Sequence, residues 1–226
     1  MLKVINPRLK DFYDGLVAEF CSTSRISKDF VGPFLVSTPV GYSTLAMRWM
    51  YVGQEPFGWG TASTPADVEQ LMKDHETFNL AKDYSGAGSP FWTFGHSLDH
   101  EINPRGPARS FIWSNIARIG WAEKPGRVPD EHLAFWSNNR LLATEVRLLT
   151  PQLVVFVTGP HYDDLLRAEF PGIDLPSLSL AEPIAQISHP ELPVLSFRSY
   201  HPAFLRRHGL EKMVRSSLCA KAREVV

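Results

Sequence analysis

A carboxylate, an amide and an imidazole stand at three places where an apolar run of this sequence stops. Glu55 lies in the Gly/Pro-rich turn Val52-Gly53-Gln54-Glu55-Pro56-Phe57-Gly58-Trp59-Gly60, after the apolar stretch Leu45 to Tyr51. Asn115 closes Ser110-Phe111-Ile112-Trp113-Ser114-Asn115, and His201 follows Val194-Leu195-Ser196-Phe197 within Ser199-Tyr200-His201-Pro202. The three groups have separate chemical uses. A carboxylate orients a water or stabilises positive charge, an amide reads a ligand that carries a donor beside an acceptor, and an imidazole stabilises a developing oxyanion. The glycines around Glu55 let ligand atoms approach the backbone closely.

These groups can meet only if the elements carrying them end at one edge. Leu153-Val154-Val155-Phe156-Val157 is continuously apolar and β-branched, the pattern of a strand buried on both faces, and Thr158-Gly159-Pro160 turns it into a helix from His161 to Phe170. Leu45 to Tyr51, Ser110 to Asn115 and Val194 to Phe197 read as further strands, with a short strand at Ile184 to Ile187. Helical spacing marks Leu9 to Phe20, Ser63 to Tyr84 (with Ser63 or Thr64 as cap and Pro65 in the first turn), Ser89 to Glu101, Glu131 to Leu149, and a basic terminal helix. Strands alternating with helices predict a parallel sheet covered on both faces in one α/β/α domain spanning residues 1–226. In such sheets chemistry gathers at the carboxyl ends of the strands, where Glu55, Asn115, Thr158-Gly159 and His201 would converge.

Composition excludes several classes. The chain has 226 residues, 44% of them hydrophobic and 21% charged, which suits a folded domain with a sizeable core. No apolar run approaches the roughly 20 residues of a membrane span, and the first residues lack a signal-peptide apolar region, so no membrane association and a cytoplasmic location are expected. Cys21 and Cys219 are too few for an iron–sulfur cluster or a four-cysteine zinc site. Net charge is −1, yet Arg198 to Val226 holds seven Lys or Arg against two Glu, a distribution compatible with a phosphate-facing surface.

Gly53-Gln54-Glu55-Pro56-Phe57, the strand-ending Asn115 and Ser199-Tyr200-His201-Pro202-Ala203-Phe204-Leu205-Arg206-Arg207 together resemble the motifs of the uracil-DNA glycosylase superfamily, in family order; Pro90-Phe91 after Gly88 resembles the segment that supplies a stacking ring. The resemblance implies a three-layer α/β/α sandwich on a central, mainly four-stranded parallel sheet. It also implies a DNA base-excision glycosylase that hydrolyses the N-glycosidic bond of uracil or a related deaminated base after base flipping. Glu55 would position the water and His201 would stabilise charge on uracil O2, as the catalytic pair. Asn115 would read the base edge, Phe91 would stack on the flipped base, and Gln54 and Phe57 would complete the pocket. Leu205, Arg206 and Arg207 would meet the duplex or its phosphates. Partners would be single- or double-stranded DNA, with the protein a monomer.

The sequence also departs from the family pattern. Glu55 is one methylene longer than the Asp of many members, Phe57 lacks the hydroxyl of a common Tyr, Gly58-Trp59-Gly60 lacks the following His of one branch, and Ala203 stands where many have Ser. The iron–sulfur cysteines of other branches are missing, so no cofactor is expected, and no step of the hydrolysis needs a metal. An alternative reading is a catalytically weak or inactive superfamily member that binds nucleic acid or nucleotides; a third is a small-molecule α/β hydrolase in which His161 would matter. His96 and His100, four residues apart beside Asp99 and Glu101, have the spacing of a zinc pair but no identifiable third ligand. Phe91-Trp92-Phe94 is equally the pattern of a core cluster.

Overall fold

The computed structural model describes residues 6–23, 29–57, 59, 67–80 and 88–224, with the side chains of 23 and 77–80 excepted. Its strands are β1 (Phe30–Val31), β2 (Trp49–Gly53), β3 (Ile112–Asn115), β4 (Gly120–Trp121), β5 (Leu153–Phe156), β6 (Ile184–Gln186) and β7 (Leu195–Ser199). Its helices are α1 (Pro7–Thr23), α2 (Val68–Leu80), α3 (Pro90–Ile102), α4 (Asp130–Asn138), α5 (Leu141–Leu149), α6 (Asp163–Glu169), α7 (Pro202–Arg207) and α8 (Glu211–Arg223).

The main sheet runs β3-β2-β5-β7-β6. Its first four strands are parallel, in register at Gly53 with Asn115, Val52 with Phe156 and Val155 with Phe197, while β6 adds an antiparallel edge. The central strands are fully buried because helices cover both faces. One face carries α3, α7 and α8 packed together; α1, α4, α5 and α6 form the other group. Alternation along β3 sends Ser114 to the α5 side and Asn115 to the α3 side. A mixed α/β sandwich whose main sheet has four parallel strands is therefore present, and the short strand near Ile184 is the fifth, antiparallel member. The two-stranded ribbon of β1 with β4 stands apart from it.

Three helix boundaries depart from the sequence expectation. The expected cap of α2 at Ser63 or Thr64 lies outside the described residues; Asp67 accepts from Gln70 N–H (3.1 Å) at the start of that helix. The single helix expected from Glu131 to Leu149 is two. Asn138 and Asn139 are poor helix formers, the Asn139 amide caps the Phe135 carbonyl (2.8 Å), and Arg140 adopts φ 51° with its Nε on the Glu169 carbonyl (2.9 Å). Glu169 then caps the new helix through Ala143 N–H (3.0 Å). The basic terminal segment also divides, at Gly209 between α7 and α8, where Leu210 N–H bonds the Leu205 carbonyl (2.8 Å). In addition, Arg198 is buried against Asp163, Arg206 pairs with Glu211 and Arg215 with Glu101, so much of the expected basic surface is neutralised within the fold.

Beneath β3 lies a buried ionic network. Arg118 donates to Glu145 Oε2 (2.7 Å) and Ser114 Oγ (3.1 Å), Ser114 Oγ donates to the same carboxylate oxygen (3.0 Å), and the Tyr13 hydroxyl donates to Oε1 (2.6 Å). It ties α1, α5 and β3 together one residue before Asn115.

Candidate active site

The turn after β2 is fixed from three sides. Gln54 Nε2 donates to the Thr158 carbonyl beyond β5 (2.9 Å), and the Gly53 and Gln54 carbonyls accept from Ile116 and Ala117 beyond β3 (3.0 and 2.9 Å). On the third side, the Pro56 carbonyl lies where a Cβ on Gly120 would stand, at 1.8 Å, so only glycine at 120 admits that approach. The amide nitrogen of Gln54 is thus engaged in joining strand ends.

Gly53 has no side chain because its neighbours occupy the space. A Cβ there would meet Asn115 Oδ1 at 2.5 Å and Phe91 Cε2 at 2.8 Å. Asn115 is 2% exposed, and its buried Nδ2 has no hydrogen-bond partner among the described residues. A desolvated amide N–H₂ without a partner carries a free-energy penalty that a ligand acceptor would relieve. Phe91, half-buried at the start of α3, stacks one face on Tyr51 (4.5 Å between centroids, 25° between planes).

His201 lies nearly parallel to the Phe91 ring, 6.0 Å away at 14°. Its Nδ1 accepts from Ala203 N–H (3.2 Å) at the amino terminus of α7. A ring nitrogen that accepts cannot carry the proton, so the neutral ring holds it on Nε2. Burial, helped by the positive charge of Arg207, lowers the His201 pKa to about 4. The imidazole is therefore a neutral N–H donor at physiological pH.

Glu55 is held differently. Its Oε1 accepts from Gly126 N–H (3.0 Å) and its Oε2 from the Tyr162 hydroxyl. Arg127 lies over the Tyr162 ring (5.2 Å) and bonds the His161 carbonyl (2.8 Å) and Asp164, fastening the 122–130 loop beside the carboxylate. Burial and the Glu55 charge both raise the Tyr162 pKa, which keeps that phenol a donor. Tyr162, Arg127 and Tyr51 carried no sequence signal, since each acts through a contact between distant segments. His161 is exposed and offers its carbonyl, not its ring, to this cluster.

The remaining expected residues separate. Phe57 is 61% exposed at the end of the turn. Arg206 and Arg207 are exposed on α7, Arg206 in its pair with Glu211. The expectation that Leu205 meets a duplex is corrected: it is 0% exposed, on the inner face of α7, because the helix needs an apolar residue there to pack on the core. Trp92 and Phe94 are core residues, as the bland reading of that cluster had it, while Phe91 is half-buried.

No family model matches this sequence, and no curated protein matches it significantly. Function must therefore come from the geometry. Among the described residues no group of three or more His, Cys, Asp or Glu is arranged to hold a metal ion, and no helix is long and apolar enough to cross a membrane.

The crowding around Gly53 gives a direct expectation. Gly53→Ala should lower stability by about 1–3 kcal/mol, the usual penalty of overpacking a tight site. A urea melt shows it; a variant as stable as the parent would mean that Phe91 and Asn115 yield freely.

Proposed function

We propose that this protein is a DNA glycosylase of uracil-DNA glycosylase type that hydrolyses the N-glycosidic bond of uracil or a related deaminated base. The observation that carries the reading is the unpartnered Asn115 amide packed with Phe91 against Gly53 at the carboxyl edge of the sheet, with the His201 ring lying parallel to Phe91. A uracil edge offers an acceptor beside a donor, which an amide matches with both of its atoms. A mostly parallel main sheet between helices is compatible with the sandwich that the sequence resemblance implies.

In this reading the base leaves the duplex, at a cost of a few kcal/mol, and stacks against Phe91. Breaking the bond leaves negative charge on the base and positive charge on the sugar. His201 donates to the base oxygen and needs no prior deprotonation to do so. Glu55, oriented by Tyr162 and Gly126, keeps a second lone pair on each oxygen for the attacking water. Arg206 and Arg207, exposed on α7, would meet phosphates, and the exposed Phe57 would contact a displaced strand.

The test is incubation of purified protein with uracil-containing single- and double-stranded oligonucleotides, followed by alkaline cleavage at abasic sites. Strand breaks that fall about 10²-fold in Gly53→Ala, where the pocket is displaced by the new methyl, would support the assigned geometry. No release of uracil, hypoxanthine or xanthine would overturn the reading as an enzyme on deaminated bases.

One observation favours a second reading, a nucleic-acid binder of the same architecture without cleavage. Glu55 already has a donor on each oxygen, and its extra methylene carries it toward Tyr162. Salt-sensitive DNA binding with no abasic product is the outcome of that case.

A further inference from the structure

We propose that Arg127 is a positioning residue for the candidate site: by fastening two separate segments to each other, it holds both hydrogen-bond donors of Glu55 in place. Its consequence for rate rests on the glycosylase reading; its geometry does not.

A glutamate side chain is flexible, so its carboxylate keeps one direction only where fixed donors hold it. The two donors of Glu55 both come from outside the strands and α-helices. Gly126 N–H (3.0 Å) belongs to the loop between β4 and α4, and the Tyr162 hydroxyl to the turn Pro160–Tyr162 between β5 and α6. A donor carried by a loop orients nothing unless that loop is itself held.

Arg127 meets this need on both sides. It follows Gly126 in the chain, so anchoring its side chain anchors the N–H beside it. The anchor is Asp164 in the first turn of α6, which the guanidinium grips as a fork: Nη1 donates to Oδ1 (2.8 Å) and Nη2 to Oδ2. Nη1 also donates to the carbonyl of His161 (2.8 Å), the residue before Tyr162, and the guanidinium lies over the Tyr162 ring, 5.2 Å from its centroid. The segment that carries Tyr162 is thus held just before the tyrosine, across its ring and again at Asp164. Within its own loop Arg127 donates to Asp130 Oδ1 through Nε and Nη2 (3.2 and 2.8 Å), and its carbonyl accepts from Trp121 Nε1 (3.3 Å).

Every nitrogen of this guanidinium therefore has an acceptor within the protein, and only 13% of the side chain is exposed. Its contacts orient groups of the protein rather than hold phosphates, so its loss should be felt in the chemical step and not in DNA affinity. A lysine could not replace it, because a single ammonium cannot present a planar fork to Asp164 while covering the ring.

The test combines single-turnover uracil release from uracil-containing oligonucleotides with DNA-binding measurements and amide hydrogen exchange on the full chain. Arg127→Gln should slow release by about 10²-fold, the scale of a displaced catalytic group, and leave DNA affinity within about twofold. In a Glu55→Ala background the same substitution should slow release no further, because the arginine acts through that carboxylate. Equal slowing in both backgrounds would indicate a general loss of structure and overturn the proposal. Exchange at the Gly126 amide needs no activity to be read, and its protection should fall about tenfold in Arg127→Gln and in Asp164→Asn. Unchanged Gly126 exchange, or a release rate within about twofold of the parent, overturns the role of Arg127. A parent protein that releases no uracil overturns the glycosylase reading instead, and Gly126 exchange then decides the positioning role by itself. If Arg127→Gln does not fold, Asp164→Asn, at the exposed end of the pair, carries the same comparisons.

Discussion

His201→Ala is expected to slow base release by about 10²–10³-fold in single-turnover assays on uracil-containing DNA, the usual consequence of losing one preorganised donor to a developing oxyanion. The pH profile separates this role from a merely structural one. Burial and Arg207 place the His201 pKa at about 4, so the ring is neutral and Nε2–H is present throughout the physiological range. The contribution of this imidazole should therefore be flat from roughly pH 5 to pH 8 and change only as pH falls through about 4. A bend near 6.5 that vanishes in His201→Ala would contradict the assigned protonation state; full activity in that variant would remove the residue from the mechanism. The same shift bears on stability. The folded pKa is lowered, so the unfolded chain binds more protons between 6.5 and about 4, and this contribution is complete above 6.5 and lost as pH falls through that window. His75 adds in the same direction. It is fully buried, accepts from Ser37 N–H (3.0 Å) through Nδ1, bonds the Trp113 carbonyl (2.9 Å) through Nε2, and is likewise lowered to about 4.

The second large effect is expected far from the reacting atoms. Glu145→Gln removes the charge that compensates Arg118, and both side chains are 0% exposed. Taking away one partner of a buried pair leaves the other charge stranded in a medium that cannot solvate it, so a loss of about 3–5 kcal/mol is expected. Urea unfolding should show a lower midpoint with an unchanged slope. Replacing both partners, Glu145→Leu with Arg118→Met, should recover a good part of that loss, because no uncompensated charge remains. A single replacement that costs under about 1 kcal/mol would mean that water reaches Arg118. Ser114 shares the network and precedes Asn115, so any repacking here should also be felt at the candidate site.

Much of this architecture was legible locally. The run Leu153 to Val157 is a buried strand whatever surrounds it, because a continuously apolar, β-branched segment has few other low-energy fates. The ends of β2, β3 and β7 were equally visible, since Gly/Pro-rich or polar residues interrupt apolar runs there. Helix boundaries were less so. The break at Asn138-Asn139 has a local cause, but the position of Arg140 depends on Glu169 and Glu191, 29 and 51 residues away in sequence. Leu205 illustrates the opposite error: its place in a loop motif suggested exposure, while the helical face on which it falls is buried.

The sequence by itself determined the strand ends and the residue types at them: a carboxylate, an amide and an imidazole, each next to a turn. Those are set by short-range patterning. The tertiary structure decided which of them share a space. It brought Asn115 and Phe91 against a glycine that has no room for a methyl, because parallel register sets Gly53 beside Asn115 and α3 lays Phe91 against both, and it set the His201 ring parallel to Phe91. It also turned Glu55 to a tyrosine 107 residues away, a partnership that no periodicity encodes. Hydrogen bonding over such separations depends on how layers pack, and packing is a property of the whole chain.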